Sequence, residues 1–510
     1  MKTASHLSQV YRPDFGMLTD LYQLTMAAGY YQQRMHERKA IFHLFFRKAP
    51  FGGDFAVAAG LALAIELVKG LHFSADDVQY LGRLRGMNGG PLFKEPFLNY
   101  LQRMKFTGTI HAVPEGEIAL PHEPLLRIEA PLIQAQLLET ALLTVINFST
   151  LIATKAARIK EAAGDDTVLE FGLRRAQGID GGLTASRSAY IGGCDATSNV
   201  WAGRYYDIPV KGTHAHAWVM AFPSELESFE AYAEAMPNNS TFLVDTYDTL
   251  AGVKRAMQVG RKLRERGHEM LGIRLDSGDL ADLSIKSRAL LDAGGFPDAK
   301  IVASDSLDEY AVRDLKARGA KIDVWGIGTN LVTAKDQPAL GGVYKLAALQ
   351  NEDGSWTPKI KRSETAIKTS NPGKLNVRRF TNSTGQPVGS ILYDELQPVA
   401  KDPSAYVKGE AEARMPRLSA GLAGASRVQG GELRSKELLA PVFVDGELVY
   451  DLPELPAIRE LALRNWKLWS EAGEVGYGLS PALYEQKLAL LEEYVGERGT
   501  MIFNDLGQGF

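Results

Sequence analysis

The stretch MLGIRLDSGDLADLSIKSRALLDAGGFPDAKIVASD (270–305) decides the fold class. Its apolar runs at 270–276 and 300–305 have the length and β-branched content of buried strands. The amphipathic stretch 280–294 between them has the pattern of a helix. A strand, a helix and a second strand in this order are typical of a parallel sheet with crossover helices. The stretch therefore predicts an α/β fold.

The same pattern repeats from about residue 135 to about residue 350. Helical segments such as 253–267 alternate with short apolar runs, at a spacing of roughly 20 to 30 residues. About eight such runs favour a closed, TIM-like (β/α) barrel over an open sheet. The predicted strand runs are TVLEFG (167–172), AYIGG (189–193), IPVKGTHA (208–215), TFLVDT (241–246), MLGIRLD (270–276), KIVASD (300–305), KIDVWGIG (321–328) and GGVYKLA (341–347).

Strand and helix patterns are mixed on either side of the predicted barrel. The segment before it contains strand-like runs and a helix that Ser74 should cap. The segment after it contains a hairpin over Asp445-Gly446 and two helices. We predict three regions, which are an N-terminal α+β domain (1–135), the α/β barrel (136–350) and a C-terminal β/α region that packs on both (351–510).

Composition excludes several classes of protein. With 45% hydrophobic and 23% charged residues among 510, long intrinsic disorder is not expected. A net charge of −4 argues against a nucleic-acid partner held by bulk phosphate attraction. The single cysteine, Cys194, excludes an intramolecular disulfide and reads as a core residue. The longest nearly apolar run, 55–65, is too short for a membrane helix, and no signal peptide is visible, so we expect a cytoplasmic protein with no membrane partner.

Polar clusters end nearly every predicted strand. In (β/α) barrels the carboxyl ends of the strands form the active-site face. Each cluster alone could be a turn or a helix cap, but seven in register favour a site. The clusters are FGLRR (171–175), GGCDATSN (192–199), GTHAH (212–216), VDTYDT (244–249), RLDSGD (274–279), ASDS (303–306) and GIGTN (326–330).

Two of these clusters indicate binding of anions and a sugar. Arg274 offers a planar guanidinium for a carboxylate or phosphate, and Asp276 and Asp279 suit sugar hydroxyls or Mg²⁺ carried by a diphosphate. The alternative is a surface salt bridge beside a helix cap. In GIGTN, the free amides around Gly326 and Gly328 and the hydroxyl of Thr329 could cradle a phosphate.

Two arginines and two histidines add further candidates. Arg174 and Arg175 contribute cations at the same face. His214 and His216 would point to one side of a strand and could hold a metal. The alternatives are a packed histidine, or one histidine that acts as a nucleophile or proton carrier beside an anion site. The chain has no GxxxxGK[ST] and no complete GxGxxG, which disfavours P-loop and Rossmann nucleotide sites. The combination fits transfer chemistry on a phosphosugar.

Several ordered blocks resemble those of nicotinate phosphoribosyltransferases. The likeness covers most of the chain. Because so many blocks occur in the family's order, chance similarity is a poor explanation. The blocks are TDLYQLTMAAGYY (19–31), EFGLRRAQGIDGG (170–182), GTHAHAW (212–218), LVDTYDT (243–249), GIRLDSGDL (272–280), GIGTN (326–330) and GGVYKL (341–346).

The resemblance implies a reaction and a fold. Members of the family join nicotinate to 5-phosphoribosyl 1-diphosphate, giving nicotinate mononucleotide and diphosphate in NAD biosynthesis. The reaction is coupled to ATP hydrolysis through a phosphohistidine, with Mg²⁺ accompanying the diphosphate and no separate protein-bound metal. The implied fold is an irregular barrel of the type II phosphoribosyltransferase kind, with an α+β sandwich-like domain built from N-terminal and C-terminal segments. The implied assembly is a homodimer with the active site at its interface.

The resemblance also implies roles for individual residues. His216 is the implied phosphorylated residue, whereas His214 occupies a variable position and takes no role. Asp276 is expected to act in catalysis as well as in substrate binding. Tyr22 could serve the partner subunit. By the resemblance, Tyr22, Thr213 and Arg274 hold nicotinate, and Asp276 and Thr329 lie near the phosphoribosyl ligand. The chemistry of the residues themselves adds Arg174 to the expected nicotinate site, and it adds Asp279, Gly326 and Gly328 to the expected phosphoribosyl diphosphate site.

Three alternatives remain open from the sequence. The base could be nicotinamide or quinolinate, although the arginines at the predicted strand ends favour a base that carries a carboxylate. A barrel metal-dependent hydrolase would use His214 and His216 as ligands. A non-catalytic sensor on the same scaffold would not need His216, Arg274 and Asp276 together.

Overall fold

A computed structural model of the protein describes residues 15–363, 366–397, 433–472 and 475–493. Most of 400–440, to which the sequence assigns no function, lies outside these ranges. The strands are β1 (Lys39–Phe45), β2 (Ala56–Val57), β3 (Thr109–Ala112), β4 (Ile118–Ala119), β5 (Leu126–Pro131), β6 (Thr167–Glu170), β7 (Ala196–Thr197), β8 (Thr241–Leu243), β9 (Gly272–Leu275), β10 (Lys300–Ala303), β11 (Val324–Ile327), β12 (Val343–Gln350), β13 (Trp356–Pro358), β14 (Leu375–Thr381), β15 (Pro387–Asp394), β16 (Arg434–Glu437), β17 (Ala440–Val444), β18 (Glu447–Leu448) and β19 (Gly476–Leu479).

Helices separate most of these strands. They are α1 (Leu21–Gln32), α2 (Leu61–Lys69), α3 (Ala75–Arg83), α4 (Glu95–Arg103), α5 (Leu132–Leu137), α6 (Glu139–Ala163), α7 (Ile179–Ile191), α8 (Val200–Tyr206), α9 (His216–Met220), α10 (Glu225–Ala235), α11 (Thr249–Glu265), α12 (Leu280–Ala293), α13 (Glu309–Ala317), α14 (Thr329–Val332), α15 (Leu455–Glu471) and α16 (Pro481–Glu493). The chain divides into two compact units. Unit 1 comprises residues 1–148, 340–454 and 464–510, and unit 2 comprises 149–339 and 455–463. The division into regions at 135 and 350 stays a prediction.

Unit 2 contains the predicted parallel sheet. Six strands pair in the order β7-β6-β11-β10-β9-β8, and every pair is parallel. Most of their side chains are buried, as expected for a sheet covered on both faces. Gly272 permits the approach of β9 to β10, since a Cβ there would lie 2.2 Å from the Lys300 carbonyl oxygen. The α/β fold class is confirmed.

Among the described residues this sheet does not close into a barrel, because its edge strands β7 and β8 do not pair with each other. Three predicted strand runs lie elsewhere. AYIGG (189–193) is the end of α7 and the turn after it, and IPVKGTHA (208–215) makes only a single bridge, from Val210 to Thr197. GGVYKLA (341–347) supplies β12, which belongs to unit 1. Short apolar runs cannot distinguish a buried helix end from a strand, nor one sheet from another.

Local signals located several helix ends correctly. The Ser74 side chain accepts from the Asp77 amide, and the Asp77 carboxylate accepts from the Ser74 amide, which makes a capping box at α3. The side chain of Asp279, which the sequence predicts as a substrate-binding residue, caps α12. The long apolar segment after β5 forms two helices, α5 and α6, which are separated at Leu138.

Unit 1 is built on sheets whose strand pairs are antiparallel, except that β15 and β19 are parallel. Its seven-stranded sheet has the order β13-β12-β1-β5-β3-β17-β18, and its four-stranded sheet has the order β16-β14-β15-β19. The side chain of Arg127 on β5 donates to the carbonyl oxygen of Leu375 on β14 at 2.9 Å, which ties N-terminal to C-terminal strands. The predicted hairpin over Asp445-Gly446 is confirmed, with both turn residues at positive φ.

One helix in the described part of the chain, α6, is long and apolar enough to cross a membrane. In its most apolar window 67% is buried inside the protein. Lys155 within this helix is buried and lies 2.7 Å from the Glu309 carboxylate. These contacts are those of a core helix.

Candidate active site

The candidate site lies at the carboxyl edge of the parallel sheet in unit 2. Because the six strands run in one direction, the segments that follow them emerge at this edge. Three neighbouring strands, β8, β9 and β10, each contribute polar side chains. The segment 212–216, between α8 and α10, adds a threonine and two histidines. The strand order therefore assembles four of the seven predicted clusters.

Arg274, within β9, contacts three other polar side chains of the site. Its guanidinium donates to Thr213 Oγ1 at 3.1 Å, to Ser304 Oγ at 2.8 Å and to Asp276 Oδ1 at 2.9 Å. An arginine has five N–H donors, so three of them are used within the protein. The side chain is 13% exposed. Arg274 thus fixes its neighbours and still has donors to offer a ligand.

Asp276 follows β9 and is held as a carboxylate. Its Oδ1 accepts hydrogen bonds from Arg274 and from the hydroxyl of Ser304. Burial alone would raise the pKa of Asp276. The hydrogen bond from Ser304 and the charge of Arg274 outweigh burial and lower this pKa below its usual value. Asp276 is therefore ionised at neutral pH.

His216 is the first residue of α9, and its imidazole is 38% exposed. Its Nδ1 lies 3.1 Å from the hydroxyl of Thr246. Its Nε2 lies 3.6 Å from Asp276 Oδ2 and 3.9 Å from Asp245 Oδ1, distances of charge contacts rather than hydrogen bonds. The carboxylate that the sequence leaves unidentified is thus a pair, Asp245 and Asp276, and both face the same nitrogen.

Asp245, after β8, is a residue that the sequence interpretation missed. Its side chain is 1% exposed, and its Oδ2 accepts from the Asp276 amide at 2.8 Å and from the Ser277 hydroxyl at 2.6 Å. Its Oδ1 has no hydrogen-bond partner among the described residues. A buried carboxylate oxygen without a donor is costly, so this oxygen is directed at a ligand or at His216.

Thr246 and Ser304 were missed for the same reason as Asp245. All three lie in the polar clusters VDTYDT and ASDS, which the sequence singles out only as strand ends. Nothing in one sequence distinguishes a hydroxyl that holds a catalytic group from one that caps a helix. The adjacency of β8, β9 and β10 supplies that information.

The residues of GIGTN lie at the end of β11. Gly326 is required by packing, since a Cβ there would be 2.7 Å from the ring of Phe171. Gly328 precedes α14, which begins at Thr329 and has only four residues. The side chain of Asn330 donates to the carbonyl oxygens of Ser306 and Leu307 and fixes the turn after β10.

Three predicted site residues stand apart from the Arg274 network. Asp279 caps α12, and both its carboxylate oxygens lie 2.7 Å from the guanidinium of Arg318. Arg174 lies in a 3₁₀ turn after β6 with its side chain exposed. Tyr22 lies on α1 of unit 1 and is 49% exposed.

His214 and Cys194 have ordinary structural surroundings. His214 is buried, and its Nε2 accepts from the Leu243 amide at 3.2 Å. His214 and His216 do not share a strand face, because the segment is not a strand and His216 begins a helix. Within the described ranges no three His, Cys, Asp or Glu side chains are grouped as a metal site. Burial raises the pKa of the Cys194 thiol, so Cys194 is the predicted core cysteine.

Comparison with known proteins assigns the chain to a family. Residues 17–147 match the nicotinate phosphoribosyltransferase N-terminal domain, and residues 167–382 match the nicotinate phosphoribosyltransferase family. Together these matches span more than half of the chain.

Individual relatives agree with this assignment. A nicotinate phosphoribosyltransferase of Bacillus subtilis is 48% identical over 74% of this chain and 76% of its own length. One of Dictyostelium discoideum is 39% identical over 88% of this chain and 82% of its own length. The crystal structure of human nicotinic acid phosphoribosyltransferase superposes with a TM-score of 0.76 at 31% identity, covering 93% of this chain and 100% of the human chain. The chain belongs to the nicotinate phosphoribosyltransferase family.

Proposed function

We propose that this protein joins nicotinate to 5-phosphoribosyl 1-diphosphate, releasing diphosphate and forming nicotinate mononucleotide. Family membership supports the reaction. The observation that carries the proposal for this chain is the convergence of Arg274, Asp276 and His216 on one edge of the sheet. A cation for the nicotinate carboxylate, an anion for the ribosyl centre and an accessible imidazole are the groups that the reaction needs.

The nicotinate carboxylate would bind to Arg274, with Thr213 alongside it. Two guanidinium donors remain after the contacts to Thr213, Ser304 and Asp276. Because these contacts hold the guanidinium in place, little side-chain entropy is lost on binding. Arg174 would complete the base site, together with Tyr22 contributed by a second copy of the chain. The two remaining donors of Arg274 favour a carboxylate-bearing base over the amide of nicotinamide.

Displacement at the anomeric carbon would pass through an oxocarbenium-like transition state. The ring nitrogen of nicotinate attacks that carbon as the diphosphate leaves, so positive charge develops on the sugar. The ionised Asp276 can stabilise this charge without reorganising, because Arg274 and Ser304 already hold it. Gly326, Gly328 and Thr329 would lie beside the phosphoribosyl group, and Asp279 is a further candidate beside them.

Magnesium would enter with the diphosphate and not as a resident ion. Mg²⁺ keeps several waters and is usually bound by one or two carboxylates together with substrate phosphates. Asp276 and the unpartnered Oδ1 of Asp245 are a donor set of this kind. When bound, the ion would neutralise charge on the departing diphosphate. The residues present therefore fit a shared ion better than a closed protein cage.

ATP would phosphorylate His216. Two carboxylates near Nε2 favour the tautomer that carries its proton there, which leaves the lone pair on Nδ1. Once the hydrogen bond from the Thr246 hydroxyl opens, attack of Nδ1 on the γ-phosphorus of ATP forms an N–P bond, breaks the bond to the ADP oxygen and needs no proton transfer to the imidazole. Asp245 and Asp276 would then stabilise the phosphoimidazole through the Nε2 proton.

We also propose that segment 208–215 completes an irregular barrel. On one side the Thr197 amide of β7 donates to Pro209 O, and the Lys211 amide donates back to Thr197 O, each at 3.0 Å. On the other side His214 Nε2 accepts from Leu243 on β8. The segment thus contacts both edge strands without forming a regular strand of its own. The sandwich-like packing of unit 1 is supported by the buried contact of Arg127 with β14.

The active assembly is proposed to be a homodimer. Each unit exposes apolar side chains that a second copy could cover. In unit 1 these are Leu18, Leu21, Tyr22 and Met26, and in unit 2 Leu173, Ile179, Val200 and Trp201 border an open cleft of about 540 Å³. Tyr22 would then reach the site of the partner. Sedimentation of the wild type should show a dimer, and Trp201→Glu should dissociate it. An active monomeric wild type would contradict this assembly.

The reaction is tested by product formation in the purified protein. With nicotinate, 5-phosphoribosyl 1-diphosphate, ATP and Mg²⁺, nicotinate mononucleotide should form and ATP hydrolysis should accompany it. Nicotinamide and quinolinate, added in competition at equal concentration, should be poor substrates. No mononucleotide from any of the three bases would rule out the proposal, and a better rate with nicotinamide or quinolinate would replace nicotinate as the substrate. A cytoplasmic location remains part of this proposal and is tested by cell fractionation.

A further inference from the structure

His214 lies beside an edge strand and occupies one of its open hydrogen-bonding positions. Within the described part of the chain, β8 has a strand neighbour only on the β9 side. The Val244 amide donates towards β9, to Arg274 O at 3.2 Å, so the preceding Leu243 amide faces away from β9. His214 Nε2 accepts from that amide at 3.2 Å. A side chain thus does here what a neighbouring strand's carbonyl would otherwise do.

The imidazole is fixed as a neutral acceptor. The pKa of His214 is lowered to about 4, mainly by burial and to a smaller extent by the neighbouring Arg274 and His216, although the contact with the Ala215 carbonyl opposes this shift. With Nε2 accepting, the proton lies on Nδ1, which is 3.5 Å from Ala215 O. The ring packs against Tyr232 at a centroid distance of 4.7 Å and against Phe229 at 6.0 Å.

Thr213, which precedes His214, and His216, which lies two residues after it, both contact the reacting site. Thr213 Oγ1 accepts from Arg274, and His216 Nδ1 lies 3.1 Å from Thr246 Oγ1. Thr246 itself is three residues after Leu243, so the His214–Leu243 and His216–Thr246 contacts join the same two segments. Loss of the His214–Leu243 contact would leave the His216–Thr246 contact and the Thr213–Arg274 hydrogen bond to hold the segment, with one attachment fewer beside His216.

We propose that His214 is a positioning residue, which places His216 and Thr213 in the site by hydrogen-bonding the Leu243 amide of the edge strand. The family resemblance assigns His214 no role, and the sequence also leaves open that it is a metal ligand. Its bond to Leu243 instead uses the nitrogen lone pair that a metal would need. The consequence for phosphoryl transfer rests on the proposed function of His216.

Two substitutions separate hydrogen bonding from packing. His214→Phe keeps an aromatic ring between Tyr232 and Phe229 but removes the acceptor. His214→Gln places an amide oxygen near the position of Nε2 and can restore it. A matched control exists in unit 1, where buried His43 accepts from the Leu375 amide at 3.3 Å. His43→Phe removes the same kind of bond without changing the segment 212–216.

The first readout does not depend on activity. In protein labelled with ¹³C-histidine, the His216 resonance is identified by its loss in His216→Asn. Because the imidazole lies between Thr246 and two carboxylates, its chemical shift reports its position. We expect this resonance to move in His214→Phe, to return in His214→Gln and to stay in His43→Phe. An unmoved resonance in His214→Phe would overturn the inference.

The second readout is acid-labile labelling of His216 by [γ-³²P]ATP. A displacement of about 1 Å can cost about 10²-fold in rate, so His214→Phe should label at least about 10-fold more slowly, whereas His214→Gln should recover most of the rate. Equal losses in the Phe and Gln variants would also overturn the inference, because they would show that only the imidazole shape matters. If the wild type is not labelled while the resonance behaves as expected, His214 still positions His216, and the proposed ATP coupling is what fails.

Discussion

Two buried carboxylates, Glu123 in unit 1 and Asp245 in unit 2, have different surroundings. In unit 1, Arg379 on β14 donates to the Glu123 carboxylate and to a backbone carbonyl, and Ser390 also donates to Glu123. Both charged side chains are nearly inaccessible, at 3% and 4% exposure. At the carboxyl edge in unit 2, by contrast, Asp245 keeps an unpartnered oxygen.

This difference separates charges used for folding from charges used for chemistry. A buried carboxylate whose two oxygens both accept hydrogen bonds from the protein, as in Glu123, specifies how two segments pack and offers nothing to a ligand. The network around Asp245 and Arg274 keeps polar atoms available to a ligand, which lowers the stability of the protein. It persists because the surrounding sheet holds these side chains in place. The predictions below test whether changes in the two units affect different properties of the protein.

The largest effect is expected from His216→Ala. Coupling of ATP hydrolysis to mononucleotide formation should fall at least about 10³-fold, because the phosphoryl acceptor is removed. The free energy of unfolding should change by less than about 1 kcal/mol, since the imidazole is 38% exposed. Exposed His268 provides the control, and His268→Ala should leave both quantities unchanged. ATP consumption at the wild-type rate in His216→Ala would exclude the phosphohistidine.

Arg379→Met, in unit 1, should lower stability and leave activity nearly unchanged. It leaves Glu123 buried without its counter-ion, which costs about 3–5 kcal/mol in the free energy of unfolding. Activity per folded molecule should stay within about twofold, because the pair lies outside the proposed site. Denaturant titration measures the first quantity and kcat the second. The double variant Arg379→Met with Glu123→Gln should regain part of the stability. A lower kcat in fully folded Arg379→Met would contradict the prediction that this ion pair contributes to stability and not to activity.

Arg274→Ala removes the guanidinium that contacts Thr213, Ser304 and Asp276 and that is proposed to bind the nicotinate carboxylate. The KM for nicotinate should rise about 10- to 100-fold, since charge-assisted hydrogen bonds contribute roughly 1.5–3 kcal/mol. The KM for ATP should rise much less. Arg274→Lys, which keeps the charge but not the planar fork, should lie between Ala and the wild type. Equal increases in both KM values would argue against a carboxylate clamp.

Acid should weaken unit 1 more than unit 2. Burial is the main cause of low histidine pKa values in the folded protein, at about 3 for His43 and about 4 for His111 and His122 of unit 1 and for His214 of unit 2. Each imidazole takes up a proton on unfolding, from an ordinary pKa of 6.5, so the free energy of unfolding falls as the pH drops from 6.5 towards 4. The slope is at most about 1.4 kcal/mol per pH unit for each histidine.

Hydrogen exchange measures how much more stability unit 1 loses in acid than unit 2, which is the smallest of the expected effects. After correction for intrinsic rates, amide protection on the unit 1 sheets should decrease between pH 6.5 and pH 5 by more than protection on β9 and β10. His43→Phe should reduce that difference, because it removes one titrating group from unit 1. A larger decrease in unit 2 would contradict the assignment of the neutral histidines.

Much of the fold follows from local chemistry that a sequence displays. The Ser74 capping box, the Asp279 cap and the Asp445-Gly446 turn depend on residues a few positions apart, and all are present in the structure. The run AYIGG failed as a strand because an apolar pentapeptide is equally compatible with the end of a buried helix. GGVYKLA is a strand, but nothing in its local sequence indicates that it pairs with β1 in unit 1 and not with the parallel sheet.

The sequence alone determined the α/β class, the family blocks and the reactive types at the strand ends, because periodicity and residue chemistry are local. Only the tertiary structure decided that β8, β9 and β10 are neighbours, and hence that Asp245, Thr246 and Ser304 face His216 and Arg274. It also separated Asp279, which pairs with Arg318, from that network. Strand order is set by packing over hundreds of residues, so the contacts that it creates cannot be deduced from the segments that meet there.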